Sequence, residues 1–143
     1  MTDRFQNIFA LLARVLLAAL FIPAGISKIA GFAGTVAYIG SVGLPLPELG
    51  AGIAVLVEVG GGLALLAGYQ TRLVALLMAI FTVVAGVFFH AFWAAAPEQL
   101  MVQQIMFMKN IAIAGGLLAL TAFGAVHSAW MRVAKNECCG SGA

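Results

Sequence analysis

An apolar run from Leu49 to Ala67 carries a single carboxylate, Glu58, near its centre. The run is long enough to cross a bilayer, which takes about 20 residues of helix. An acidic side chain at mid-depth costs roughly 2.5–3.5 kcal/mol on insertion scales. Glu58 therefore has to face a protein interior and meet a cationic partner, or stay protonated. Either outcome demands further helices around it, so the chain reads as a bundle built about this position.

Composition supports that reading. Of the 143 residues, 64% are hydrophobic and 8% charged, against about 25% charged in soluble domains. No soluble surface can be made from such a chain. The expected fold class is all-α, an integral membrane four-helix bundle. A net charge of +2 with no basic run excludes nucleic acid as a partner; membrane lipid is the expected surrounding. The N-terminal apolar segment is too long for the core of a signal peptide and is interrupted by Arg14, so it is kept as a span.

Spans are expected at about 6–29, 49–67, 73–93 and 104–123, with a tail over 124–143. Pro23 is expected to bend the first span. Between the first two spans, Ala33 to Val42 reads as a short interfacial helix with Tyr38 near the headgroups. In span two, Gly60, Ala64 and Gly68 form a small-residue stripe for close helix approach, while Glu58, Gly61, Gly62 and Leu65 occupy another face. Gly115 and Gly116 are read as contact positions in span four. Phe88, Phe89, Phe92 and Trp93 fit an aromatic belt. Trp130 and Arg132 suggest a surface-lying segment in the tail. Basic residues near span ends favour both termini in the cytoplasm, an N-in/C-in orientation.

With that orientation Lys28, His90, Gln103, Gln104, Lys109 and Asn110 share the outer third, Glu58 lies near the midplane, and Arg14 lies deeper on the cytoplasmic side. Ionisable groups inside a membrane mark functional sites by default. Three readings of this layer stand side by side. In the first it is a quinone pocket. His90 is the proton-passing group, because its ordinary pKa of about 6.5 lies nearest neutrality. Lys28 or Lys109 would stabilise a developing oxyanion, and Glu58 would relay a proton; Asn110 is assigned to binding with Lys28. In the second, two lysines and a histidine attract a small anion. In the third, the lysines snorkel to headgroups and Arg14 with Glu58 forms a structural ion pair, a lysine being the alternative partner of Glu58.

Other chemistry finds little support. Cys138 and Cys139 are adjacent, lack CxxC spacing and have no nearby metal set, so they are read as inert tail residues, and no metal site is expected. No nucleotide-binding, serine-hydrolase or zinc-protease motif is present. His90 and His127, the two histidines, fall on opposite sides of the membrane, which argues against one haem between them.

The runs GISKIAGFAGTVAYIGSVGLPLP, VEVGGGLALLAGYQTRLVALLMAIF, FHAFW and QIMFMKNIAIAGGLLAL together resemble the DoxX family of small prokaryotic membrane proteins. The likeness covers roughly Arg14 to Leu120. It implies a four-span protein of the inner, cytoplasmic membrane, and the residues matching the family's polar pattern are Arg14, Lys28, Glu58, His90, Lys109 and Asn110. The family takes its name from a subunit of a thiosulfate:quinone oxidoreductase, and relatives are implicated in oxidative and thiol stress and in quinone or catechol resistance. The resemblance implies an oxidoreductase component handling a quinone or small redox substrate, with no cofactor built in. The alternatives are a non-catalytic anchor or assembly subunit for a redox-enzyme partner and, less favoured, a small-solute exporter. A homo-oligomer is compatible with each.

Overall fold

A computed structural model describes residues 3–124. His127, Trp130, Arg132 and the Cys138–Cys139 pair lie outside the described residues. No strand occurs among those described. Among the described residues four helices are long and apolar enough to span a membrane. Helix α1 covers Asp3–Ala30 and α2 is the short connector helix Phe32–Ser41. Helix α3 covers Pro47–Ala67, α4 Thr71–Phe89 and α5 Pro97–Phe123.

Local chemistry sets these limits. Helix α1 runs through Pro23 without interruption, although the ring removes one backbone donor. Pro47 and Pro97 each open a helix at its first turn, where the missing N–H is not needed. Leu46, just before Pro47, sits in the left-handed region at φ 54°, an uncommon conformation for a branched residue. Gly68, at φ 75°, closes α3, and a left-handed residue after a helix is the ordinary role of glycine. A 3-10 turn at Phe92–Ala94 joins α4 to α5. Helix α5 begins at Pro97, earlier than the expected span start at Gln104, because the segment from Pro97 has no helix breaker in it.

Neighbouring helices run antiparallel. Gly25 of α1 faces Val59 of α3, and Ile22 faces Gly62, so residue numbers rise on one helix as they fall on the other. Gly86 of α4 faces Asn110 of α5, and His90 reaches Gln103. The solid core, which includes Leu65, Ala75, Met78, Leu117 and Leu120, fills the half of the bundle nearest the α3–α4 turn. The other half is open and holds a cavity. Outward faces carry exposed leucine, isoleucine and valine throughout, as a lipid-facing surface requires.

The close helix contacts fall on a different face from the one expected. A Cβ at Gly61 would sit 2.8 Å from Met78 Sδ, and one at Gly62 would sit 2.7 Å from Ile22 Cγ1. At Gly60 it would meet only Leu56 of its own helix. The packed face is the other one expected, with Glu58, Gly62 and Leu65 buried. Residues Leu56–Gly61 form a π-helical segment, a wider turn than the α-helix. Gly115 and Gly116 have no atom within 4 Å of an added Cβ, so within one protomer they are not contact positions.

Candidate functional site

The open half of the bundle is organised by one geometric rule. Every Cα–Cβ bond in an α-helix tilts toward that helix's N-terminus. Lys28 lies in the last turn of α1, so its side chain leans back into the bundle. Glu58 lies midway along antiparallel α3 and leans the opposite way. They meet: Lys28 Nζ donates to both carboxylate oxygens, at 2.9 and 2.8 Å. Glu58 is buried and Lys28 half-buried. Gly25 permits the approach, because a Cβ there would come within 3.1 Å of Glu58 Cβ.

The expected ion pair between Arg14 and Glu58 is therefore corrected to Lys28 with Glu58. Lys28 does not snorkel outward, since its helix direction and the buried carboxylate both draw it inward. Arg14, by the same tilt, leans toward the start of α1 and meets the end of α3. Its Nε donates to Leu65 O at 2.6 Å and its Nη2 to Leu66 O at 2.7 Å. Leu65 O also accepts from the Gly68 N–H at 3.1 Å; both carbonyls lie in the last turn of α3, and a cation at a helix C-terminus is electrostatically favoured. Arg14 is thus a helix cap, far from the polar cavity.

His90 stands directly after α4 and its N–H donates to Gly86 O at 3.0 Å. Its Nδ1 lies 3.0 Å from Gln103 Oε1. A proton on Nδ1 would complete this contact as a hydrogen bond to the amide oxygen. Phe92, Trp93 and Phe107 pack edge to face, with ring centroids 5.2–5.6 Å apart, which ties the segment after His90 onto α5. Asn110 rests against Gly86, where a Cβ would come within 3.3 Å. Lys109 Nζ lies 3.3 Å from Met106 Sδ, one turn back on the same helix.

Lys28, Glu58, His90, Lys109 and Asn110 all line one cavity of about 480 Å³, within the usual ligand-pocket range of about 300–1,000 Å³. Its remaining walls are mainly apolar and aromatic, from Phe21, Ile53, Phe81, Phe88 and Phe89 among others. The expected site residues converge, then, apart from Arg14.

Helix α2 is the element that sequence reasoning underused. Thr35, Tyr38 and Ile39 line the same cavity, and Tyr38 stacks on Phe89 at 5.3 Å with its hydroxyl 3.4 Å from Phe89 O. The i, i+3, i+4 spacing of Thr35, Tyr38 and Ile39 marks one helix face and was the available signal. Helix α2 walls the cavity from the connector side. Among the described residues no group of three or more histidine, cysteine, aspartate or glutamate side chains is placed to hold a metal.

Fold and site together define a class: a four-span membrane protein with a polar-headed, apolar-walled cavity at one end of the bundle. The DoxX family model matches residues 9–91, more than half of the 143-residue chain, and the chain belongs to the DoxX family. Inner membrane protein YqjF of Escherichia coli K12 is 42% identical over 127 residues, covering 85% of this chain and 90% of its own. Inner membrane protein YphA of the same organism is 38% identical over 123 residues, covering 85% and 88%. No solved structure matches at a significant level. The chain is accordingly a multi-pass inner-membrane protein. The family match includes Lys28, Glu58 and His90, whereas Lys109 and Asn110 lie beyond its end.

Proposed function

We propose that the cavity binds a quinone headgroup and that the protein is a quinone-handling component of an inner-membrane oxidoreductase. One observation carries the reading: groups suited to both carbonyl oxygens of a quinone ring, and to its protons, line a single apolar-walled cavity. Lys109 and Asn110 donate toward one oxygen. His90, held by Gln103, passes a proton at the other. The Lys28–Glu58 pair is the proton reserve on the side toward the bundle centre. Reduction of a quinone to its quinol takes two electrons and two protons; the electrons come from a redox-enzyme partner subunit. Basic residues near the span ends favour the outer half of the membrane for the cavity.

The test is titration of purified protein with a short-chain ubiquinone, followed by tryptophan fluorescence or calorimetry. Saturable binding at one site is expected, and His90→Ala and Lys109→Ala each weaken it about tenfold or more, the scale of a hydrogen bond involving a charged group. Unchanged binding in both variants would defeat the assignment. A second reading, a non-catalytic anchor or assembly subunit, is supported by the open face at Gly115 and Gly116, where a partner helix can approach closely. On that reading a redox protein co-purifies from native membranes, and Gly116→Leu abolishes the association without affecting quinone.

A further inference from the structure

Resting on the ligand-binding reading above, the charges lining the cavity narrow the ligand's chemistry. Glu58 engages Lys28 with both oxygens, so that pair contributes no net charge. Lys109 lines the same space, and its hydrogen-bonding neighbour is the uncharged thioether of Met106. Lys28–Glu58 is the ion pair found among the described residues; Glu48 and Glu98 are exposed. The cavity therefore carries one uncompensated ammonium, with the Asn110 amide next to it in sequence. The Lys109 side chain is exposed, so its charge is open to a ligand that enters the cavity, and an anionic oxygen beside it gains a charge-assisted hydrogen bond. Helix direction keeps this cation committed: α5 begins at the His90 end, so the Lys109 side chain leans toward His90.

We infer that the cavity selects an anionic ligand: an apolar ring bearing one oxygen acid that is ionised at neutral pH, the chemical class of hydroxyquinone anions and aryl carboxylates. The oxyanion sits at Lys109 with the Asn110 amide donating to it. The ring lies among the aromatic walls, and the charge of Lys109 is cancelled by the ligand itself.

Binding of two matched probe pairs to the full-length protein, in nanodiscs of zwitterionic lipid at pH 7, tests this. One pair is 1,4-naphthoquinone and 2-hydroxy-1,4-naphthoquinone, whose hydroxyl is a vinylogous acid and ionised. The other is 2-naphthalenemethanol and 2-naphthoate. In the wild type the anion of each pair binds about tenfold or more tighter than its neutral mate, the scale of a charge-assisted hydrogen bond. Lys109→Gln brings both ratios to near one, and Lys109→Arg restores the preference, which excludes misfolding as the cause. Equal affinities within both pairs, or a preference that survives Lys109→Gln, overturn the inference. Tight binding of neutral 1,4-naphthoquinone without an anion preference leaves the quinone reading standing and removes this one. An anion preference for 2-naphthoate with neither naphthoquinone bound does the reverse. Binding of none of the four removes both.

Discussion

Replacing Lys28 by methionine keeps an unbranched apolar stem one atom shorter and removes the charge. The carboxylate left behind has a side chain only 9% exposed and has lost the donor to both its oxygens. Breaking a buried ion pair from one side costs about 3–5 kcal/mol. The reverse change, Glu58→Gln, is milder: the Lys28 side chain is 32% exposed and its ammonium swings outward to water, leaving roughly 1–2 kcal/mol from the lost charged hydrogen bonds. Removing both charges leaves no orphan, so the double variant is expected to recover about 2–3 kcal/mol of the summed cost. Equilibrium unfolding in mixed detergent micelles, followed by circular dichroism, reads all four proteins. Additive effects within about 0.5 kcal/mol, or a Lys28→Met cost below about 1 kcal/mol, would refute the pairing. A parallel cycle of Arg14→Met with Glu58→Gln is expected to be additive, because Arg14 is spent on the end of α3.

Arg14→Gln removes the charged donor from the Leu65 and Leu66 carbonyls and is expected to destabilise by about 1.5–3 kcal/mol, with ligand binding unchanged, as the same unfolding assay and a titration will read. Gly62→Ala drives a methyl into Ile22 and is expected to cost about 1–3 kcal/mol by overpacking. Gly116→Ala, in open space, is expected to lie within about 0.5 kcal/mol of wild type or to stabilise its helix.

The four spans were legible because hydrophobic run length alone identifies them in a membrane protein. The polar constellation was legible for a similar reason: so few charged groups lie inside the spans that each one stands out, and depth grouped Lys28, His90, Lys109 and Asn110. Pairing was not legible. Arg14 and Lys28 are both cations of the first span, and the choice between them as the partner of Glu58 rests on which way each side chain leans. That follows from antiparallel packing, which sequence spacing does not contain. The packed face of α3 is the one carrying Glu58, Gly61, Gly62 and Leu65; α3 has two faces with small residues, and spacing alone does not say which of them meets a neighbour. A π-helical segment covers Leu56–Gly61. Such segments recur at functional sites, and this one carries Glu58. Gly68 stands at the turn after α3, where a Cβ would strike the Arg14 guanidinium.

If a single cavity gathers these residues around a quinone ring, photoaffinity labelling will find the ring there. An azidoquinone irradiated with the full-length protein in nanodiscs, followed by peptide mass spectrometry, reports which side chains touch it. Labels are expected on Tyr38, Phe81 and Phe88, competed away by unmodified quinone and lost in His90→Ala. Labels spread over outward residues such as Leu16, Leu56 and Leu118, without competition, would contradict a quinone held in the cavity.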